Sequence, residues 1–526
     1  MDAAPALLVS TDLPFVAMGL FAIARVLEAH GSPCRVLRYE SYPALVEEII
    51  RTRAGVIGFS AHWHSQLVPS VRIAQRLKRD CPGLRIVLGG YTASWFAEDL
   101  AKLDPIDGVV VGAGEKPFLA LVQGAPRGTI GNLVWRAEDG AVVRNPVRCD
   151  LEPETLREFV YGSLEDFERA HRVIRIGTGC FFHCFHCGGS RKALAGHGCS
   201  SPVFLEADDI AGVIARNFDA LGFDRLYLAQ DPFRDLKAVA AGMDRLPDRI
   251  KGRIALAVAA WGRPRFEEVR RLCASAPKVC LELTFDSLDP AWLKDSRGFA
   301  CTGPVLEELQ AYTAELFTLP NLEIDMYFSY PHLHAGRFLF PDLATLGALF
   351  DLELAFRKER LEGRFGLRYL LLSTDPESSY GSRYTFQEYW DRLLAAPSGL
   401  GSFCCHYEGW MEPDEFMHRH LFIQGLMHLF EKATTFTQDM YRRTFKGDIR
   451  TCHDTLFTLF REAWVAAADR GARVLPGADE AFGYSCRRQE MVDEERLASA
   501  ARTLVDRCLQ EGIFDRDAWE REGVVL

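Results

Sequence analysis

The chain has no apolar run of about 18 residues, the length a membrane-crossing helix needs. No block of lysine and arginine stands out in its 526 residues, and Met1-Asp-Ala-Ala-Pro5 lacks the basic start and apolar core of a secretory signal. A net charge of -11 argues against a nucleic acid or an anionic membrane as partner, because either favours a basic face. No Ser-His-Asp arrangement suggests hydrolytic chemistry. Of the 15 cysteines only one set is clustered at ligand spacing, so the expectation is a cytoplasmic protein with reduced thiols. What is present is ordinary globular material: 48% hydrophobic residues and length for three or four domains of roughly 150 residues each.

The clustered cysteines lie in Gly177-Thr-Gly-Cys180-Phe-Phe-His-Cys184-Phe-His-Cys187-Gly-Gly-Ser190, directly after the apolar run from Val173 to Ile176. Spacings of three and two residues put Cys180, Cys184 and Cys187 on one tight loop. Three thiolates there suit three irons of a four-iron, four-sulfur cluster, with no fourth cysteine nearby to close the set. One iron is then open to a ligand. A zinc site, which normally takes four ligands, and three unrelated core thiols are the competing readings of the spacing.

The first 125 or so residues alternate short strands with helical stretches. Ala6 to Ser10, Arg35 to Arg38, Gly55 to Phe59, Arg85 to Leu88 and Gly108 to Val111 read as five strands of a Rossmann or flavodoxin-like α/β domain. Such sheets bind ligands at the carboxyl ends of their strands. Those ends carry Ser60-Ala-His-Trp-His-Ser65, Gly89-Gly-Tyr-Thr92 and Gly112-Ala-Gly-Glu115, where small residues let a flat ligand approach the backbone. Residues 126–168 read as a linker holding a small hairpin from Gly131 to Val143. From 169 to 385 six further βα units follow, and from 386 to 526 the apolar spacing turns helical, the first helix running from Phe386 to Leu394. A domain appended in this way often caps the open side of a barrel.

The cysteine loop after a strand, opening a region of alternating strands and helices, resembles the signature of the radical S-adenosylmethionine (SAM) enzymes. The amino-terminal region resembles the cobalamin-binding domain that precedes many such cores, in which Gly-Gly follows the fourth strand and Gly-x-Gly-Glu the fifth. The resemblance implies a partial (β/α)6 barrel with its chemistry at the strand carboxyl ends. The cofactors it implies are a [4Fe-4S] cluster on Cys180, Cys184 and Cys187, SAM and cobalamin. It places SAM against His186, Gln230, Asp231, Asp286 and Ser287, and cobalamin against Pro14, Ser60, His62, Gly89, Gly90, Gly112, Gly114 and Glu115. An unliganded Rossmann-like domain, whose glycines serve only turns, and helix caps at the two aspartates are the plainer readings.

Several positions depart from the family. His186 stands where an aromatic residue usually precedes the third cysteine, Gln230-Asp231 replaces a Gly-Gly-Glu type segment, and Asp286 replaces a glutamate. The loop Asp12-Leu-Pro14-Phe-Val-Ala17 stands where histidine-coordinating cobalamin domains carry Asp-x-His-x-x-Gly. Pro14 offers no imidazole, which implies a weak or water lower ligand on cobalt. Arg263, Glu282, Tyr330, His332, Asp375 and Tyr380 are further polar candidates for the barrel mouth, and Cys404, Cys405 and His406 lie in the loop after the first carboxyl-terminal helix.

The function implied is a methyltransferase: SAM cleavage at the cluster yields a radical that abstracts hydrogen from substrate, and methylcobalamin supplies the methyl group. No catalytic protein nucleophile is expected. A small natural-product precursor or a peptide fits as substrate, with an external electron donor such as flavodoxin or ferredoxin. A cobalamin-bearing radical enzyme that rearranges, cyclises or oxidises without methylating would carry the same motifs, and an iron-sulfur electron-transfer protein would share the cysteine loop.

Overall fold

The computed structural model describes residues 5–11, 18–149, 172–189, 191–199, 201–233, 236–288, 306–330, 332–334, 337–339, 364–371, 375–378 and 380–395, with isolated positions besides. Pro14 and the expected helices beyond 395, with Cys404, Cys405 and His406, lie outside the described residues.

The first sheet is made of β1 (Ala6–Ser10), β2 (Cys34–Arg38), β3 (Val56–Ser60), β4 (Arg85–Gly89), β5 (Gly108–Val110), β6 (Leu133–Arg136) and β7 (Val142–Arg144). Their order, β2-β1-β3-β4-β5-β6-β7, puts five parallel strands in the flavodoxin-like arrangement. The hairpin expected in the linker is present as β6 and β7, and it pairs antiparallel onto the edge at β5. Every residue of β1 is buried, because side chains alternate between two covered faces. Ala6 and Leu8 meet α1 (Met18–Ala29) and α6 (Glu115–Val122). Leu7 and Val9 meet α2 (Tyr42–Thr52), α3 (Leu67–Asp80), α4 (Tyr91–Trp95) and α5 (Ala97–Ala101). The ends of α2 show why the chain turns where it does. Ser41 Oγ caps it by accepting from Ala44 N at 3.4 Å, Pro43 fits its first turn, and Arg53 leaves it in the left-handed region at φ 53°.

The second sheet follows in the chain as β8 (Arg172–Arg175), β11 (Arg225–Phe233), β12 (Ala255–Trp261), β13 (Val279–Asp286), β14 (Leu322–Tyr330) and β17 (Phe365–Leu371). Two small antiparallel pairs accompany it, β9 (Gly177–Thr178) with β10 (Val203–Phe204) and β15 (His332–His334) with β16 (Arg337–Leu339). The six strands are all parallel and each pairs with the next in sequence. This single direction of winding differs from the first sheet, whose order reverses at β1. The helices between them are α7 (Arg191–Gly196), α8 (Ala207–Leu221), α9 (Lys237–Asp244), α10 (Phe266–Ser275) and α11 (Leu306–Leu316).

Alternation along β13 divides the second sheet into two faces. Val279, Leu281 and Leu283 are buried, whereas Cys280, Glu282 and Thr284 between them are half-buried. The buried set joins Ile210, Val213 and Ile214 of α8 in one large core. Register puts Tyr227, Glu282 and Asp325 on the opposite face, so one face is apolar and the other carries charge.

The two halves pack together. Phe21 and Ala22 of α1 enter the core of the second sheet. The helix expected to begin a cap over that sheet, α12 (Phe386–Ala395), instead packs on the first domain. There Phe386 and Tyr389 meet Phe96 at ring separations of 5.3 and 5.4 Å. Its apolar stripe of Phe386, Tyr389, Trp390 and Leu393 matches the face left open beside α3 and α5.

One expectation about the thiols is corrected. Cys149 and Cys199, 50 positions apart, form a disulfide with a Cα separation of 4.8 Å. Its basis is local: Asn132 holds Arg148 by two hydrogen bonds of 2.6 and 2.9 Å, and Gly198 lets the backbone of Arg148 and Cys149 approach closely.

Candidate functional site

The carboxyl ends of the first sheet face the segment that follows β8. Ser10, Ser60 and Gly89 fall in register across β1, β3 and β4. Gly90 follows with φ +104°, and a Cβ there would stand 2.6 Å from His62 N, so only glycine lets the two turns nest. Ser94 Oγ bridges the tips of β4 and β5, donating to Gly90 O at 2.8 Å and accepting from Gly112 N at 3.0 Å. Gly114 packs on Ile23, and Gly112 lies against His197. Glu115 opens α6, buried, and pairs with Arg175 at 3.6 Å.

His62 is half-buried, its ring among Trp63 and Tyr91. Tyr91 also stacks on His197, with centroids 5.2 Å apart and planes 11° from parallel. Burial holds both imidazoles down at about 4, against a slight upward pull on His62 from Asp375. Both are neutral at pH 7. His64 is buried, its Nδ1 3.9 Å from Asp375 Oδ1.

The cysteine loop leaves the carboxyl end of β8. Cys184 is buried and Cys180 and Cys187 are half-buried, all three as thiols. Gly189 N donates to Cys187 Sγ at 3.3 Å, a contact that favours a thiolate. Among the described residues no group of three His, Cys, Asp or Glu side chains is set to hold a metal ion. The chemistry of the set, three thiols on one eight-residue stretch with an amide aimed at sulfur, nonetheless suits a cluster.

The exit from β17 clamps this loop. Asp375 N donates to His186 O at 2.8 Å and Tyr380 N to Phe185 O at 3.0 Å, while Gly188 N donates to Asp375 Oδ2 at 2.6 Å. Sequence reasoning named Asp375 and Tyr380 but not this role. It missed Arg175, His197 and Glu377 altogether, since no motif or spacing marks them.

The remaining candidates are dispersed. His186 makes an edge contact with Phe185 at 5.1 Å. Asp286 ends β13 and Ser287 follows it, both buried, and Asp286 sits in the left-handed region at φ 59° beside a bulge, backbone strain of the kind kept at functional sites. Gln230 and Asp231 occupy the end of β11, with side chains outside those described, as is that of His332. Glu282 accepts from Tyr227 Oη at 3.0 Å, Tyr330 is fully buried, and Arg263 pairs with Glu308 near the surface at 3.0 Å.

Comparison with known proteins bears on the first domain. Residues 5–122 match the B12-binding domain family. No curated protein matches the chain. Among solved structures, RcsB from Salmonella enterica serovar Typhimurium, bound to promoter P1flhDC in the presence of phosphomimetic BeF3-, is similar at 19% identity over 23% of this chain. The match takes in 62% of that chain, less than two thirds, and its TM-score of 0.18 carries no argument. Strands β1 to β5 with their helices therefore match a B12-binding domain, and β6 and β7 lie beyond the match. The carboxyl edge of β1 to β5 suits a polar ligand tail: Thr11 Oγ1 and Ser65 Oγ are buried there without a hydrogen-bond partner among the described residues. No helix of the described residues is long and apolar enough to cross a membrane.

Proposed function

We propose that the chain is a cobalamin-dependent radical SAM enzyme, and that it transfers a methyl group to an unactivated carbon of a small natural-product precursor or a peptide. The observation that carries the reading is the apposition of a B12-binding type domain and a three-cysteine loop, each at the carboxyl ends of the parallel strands of its own sheet. Glu115 with Arg175 and Tyr91 with His197 join those ends directly. Cofactors held on the two sides would meet in one space.

When bound, the cluster with SAM supplies a carbon-centred radical and cobalamin supplies the methyl group. The chain positions and shields them. Cys180, Cys184 and Cys187 would hold the cluster, and Asp375 fixes their loop through Gly188. Ser60, Gly89, Gly90 and Gly112, with the hydroxyls of Thr11 and Ser65, receive the cobalamin tail. Phe182 against Trp261, rings 5.2 Å apart, walls the polar face of the second sheet, which in this reading lines a partial barrel. His62 and His197, neutral and enclosed, add hydrogen-bonding capacity without charge.

The test is anaerobic reconstitution with iron, sulfide and cobalamin, then incubation with SAM and a reductant. Formation of 5'-deoxyadenosine is expected, together with a substrate gain of one methyl in mass. Absence of 5'-deoxyadenosine would exclude radical chemistry, and a product without added methyl would exclude methyl transfer.

A further inference from the structure

The outer side of the cysteine loop carries positive charge in a chain whose net charge is -11. Arg191, Lys192 and Arg383 are exposed there, and among the described residues none of the three is in an ion pair. Each is fastened to the loop by a neutral contact. Arg191 N donates to Phe182 O at 2.9 Å. Lys192 Nζ donates to Ser382 Oγ at 3.1 Å, which brings it to the residue next in sequence to Arg383. Arg383 lies 4.8 Å over the Tyr380 ring, and Tyr380 N donates to Phe185 O at 3.0 Å. The cations therefore gather around the stretch from Phe182 to Phe185.

The acids around the loop do not cancel that charge at the surface. Asp375 and Glu377 are buried behind it, packed on Gly188. Asp375 is bonded to Gly188 N, and burial together with Asp375 raises the Glu377 pKa, which favours its neutral form. Glu388, one turn into α12, is engaged with Thr385 at 2.8 Å. The same loop also turns an aromatic ring to solvent. Phe181 is 51% exposed and leans on Phe204 at 5.4 Å. Unpaired cations beside an exposed aromatic ring are the composition of a contact with another protein. Over most of this acidic chain an acidic protein is repelled, and here the local sign is reversed, so complementarity both selects such a partner and fixes where it lands.

We propose that Phe181, Arg191, Lys192 and Arg383 form the docking surface for an acidic, flavin-carrying electron donor of the flavodoxin type. The choice of partner rests on the reading above, in which the cysteine loop holds a cluster that has to be reduced. A donor seated on these residues lies against the loop between Cys180 and Cys187. One electron passes from the anionic flavin hydroquinone of the donor to the cluster, and no bond or proton moves with it. Phe181 offers an apolar plane to the exposed edge of the flavin, a contact that an acidic ferredoxin has no ring to make.

The experiment uses the full chain in two forms. Without iron or sulfide, its affinity for oxidised flavodoxin is read from flavin fluorescence anisotropy at about 50 and about 200 mM salt. After reconstitution, bleaching of the visible absorbance by reduced flavodoxin is timed against bleaching by dithionite, which needs no docking surface. Lys192→Glu and Arg383→Glu are each expected to weaken binding by about tenfold or more at the lower salt and to flatten its salt dependence. Both should slow bleaching by flavodoxin and leave bleaching by dithionite unchanged. Phe181→Ser should weaken flavodoxin binding but not that of a ferredoxin of similar charge. Arg79→Glu, exposed at the end of α3 and equal in its change of net charge, should alter none of these. Wild-type affinity in both charge-reversed variants, or equal weakening by Arg79→Glu, overturns the docking surface, and a ferredoxin that binds more tightly than flavodoxin overturns the flavin assignment. The binding arm needs neither cluster nor SAM. Docking on these residues without formation of 5'-deoxyadenosine would leave the surface standing and remove the radical reading, whereas 5'-deoxyadenosine formed with dithionite while the reversed variants dock like wild type would do the opposite.

Discussion

Tyr91, at the start of α4, and His197, just after α7, stack with planes 11° apart across the contact between the two sheets. The pair ties the tip of β4 to the segment after the cysteine loop, and it does so with a neutral imidazole. Burial lowers both His197 and the adjacent His62 to about 4. The unfolded chain titrates near 6.5, so between about 6.5 and 4 it binds protons that the folded protein refuses. The stability they secure is complete above pH 6.5 and is lost as pH falls toward 4, by up to about 1.4 kcal/mol per pH unit for each residue. Urea unfolding at pH 7.5, 6.0 and 5.0 should show this slope. His197→Gln should flatten it, and an unchanged slope would remove His197 from the account.

Gly90 offers a sharper test of the cobalamin edge. In Gly90→Ala the new methyl would meet the His62 backbone at 2.6 Å from a φ of +104°, so either the β3 or the β4 turn must give way. We expect a stability loss on the order of 1–3 kcal/mol from strain alone and weakened cobalamin retention. Gly31→Ala, also at positive φ but with open space around it, should cost less and leave retention intact. Melting curves and the visible spectrum of bound cobalamin measure both.

The Cys149–Cys199 disulfide closes about 50 residues around the junction of the two halves. Loop-closure entropy for that length corresponds to about 4 kcal/mol. Cys149→Ser should therefore lower stability substantially while leaving iron binding unchanged, since neither sulfur belongs to the cysteine loop. Chemical denaturation with and without reductant checks the first half, and iron content after reconstitution the second.

Strands were legible wherever a short run is buried on both faces or alternates cleanly. Ala6–Ser10 is found as read, and Val279–Asp286 extends its expected strand by one residue. The flavodoxin-like order followed from five such runs with helical spacers. Contacts between distant segments were not legible, because they depend on how two sheets dock rather than on any local period. Cys149 and Cys199 have no spacing signature, and nothing local marks Glu377 as buried against Gly188. The stripe of α12 was visible in the sequence, but the partner it would choose was not. A helix reports that it must bury a face, and the vacant surface beside α3 decides where.

Cys184 is the most buried of the three loop cysteines, and Cys184→Ala should abolish the broad visible absorbance of a reconstituted cluster and most of its iron. Cys280→Ala, on the polar face of the second sheet, should leave both unchanged. Survival of the absorbance in Cys184→Ala would mean that the loop does not hold the metal.

The polar face of the second sheet makes a last prediction that separates charge from packing. Glu282 and Asp325 are register partners on β13 and β14. Burial raises the pKa of both; Asp325 pushes Glu282 further up, while Tyr227 and Arg368 pull Glu282 down. Arg368 is the counter-charge that both acids share. Arg368→Met should leave two half-buried carboxylates without their counter-charge and cost on the order of 1–2 kcal/mol at pH 7.5. Raised acids favour the folded protein most when protonated, so their contribution is fully present below the unfolded carboxyl pKa and is lost as pH rises through the folded values. The penalty of Arg368→Met must therefore shrink as pH falls from 7.5 toward the folded pKa values of the two acids, even though the wild-type protein loses stability through His62 and His197 as pH falls. Taking the difference between variant and wild type at each pH removes the histidine effect. A penalty constant with pH would mean that Arg368 acts by packing and not by charge.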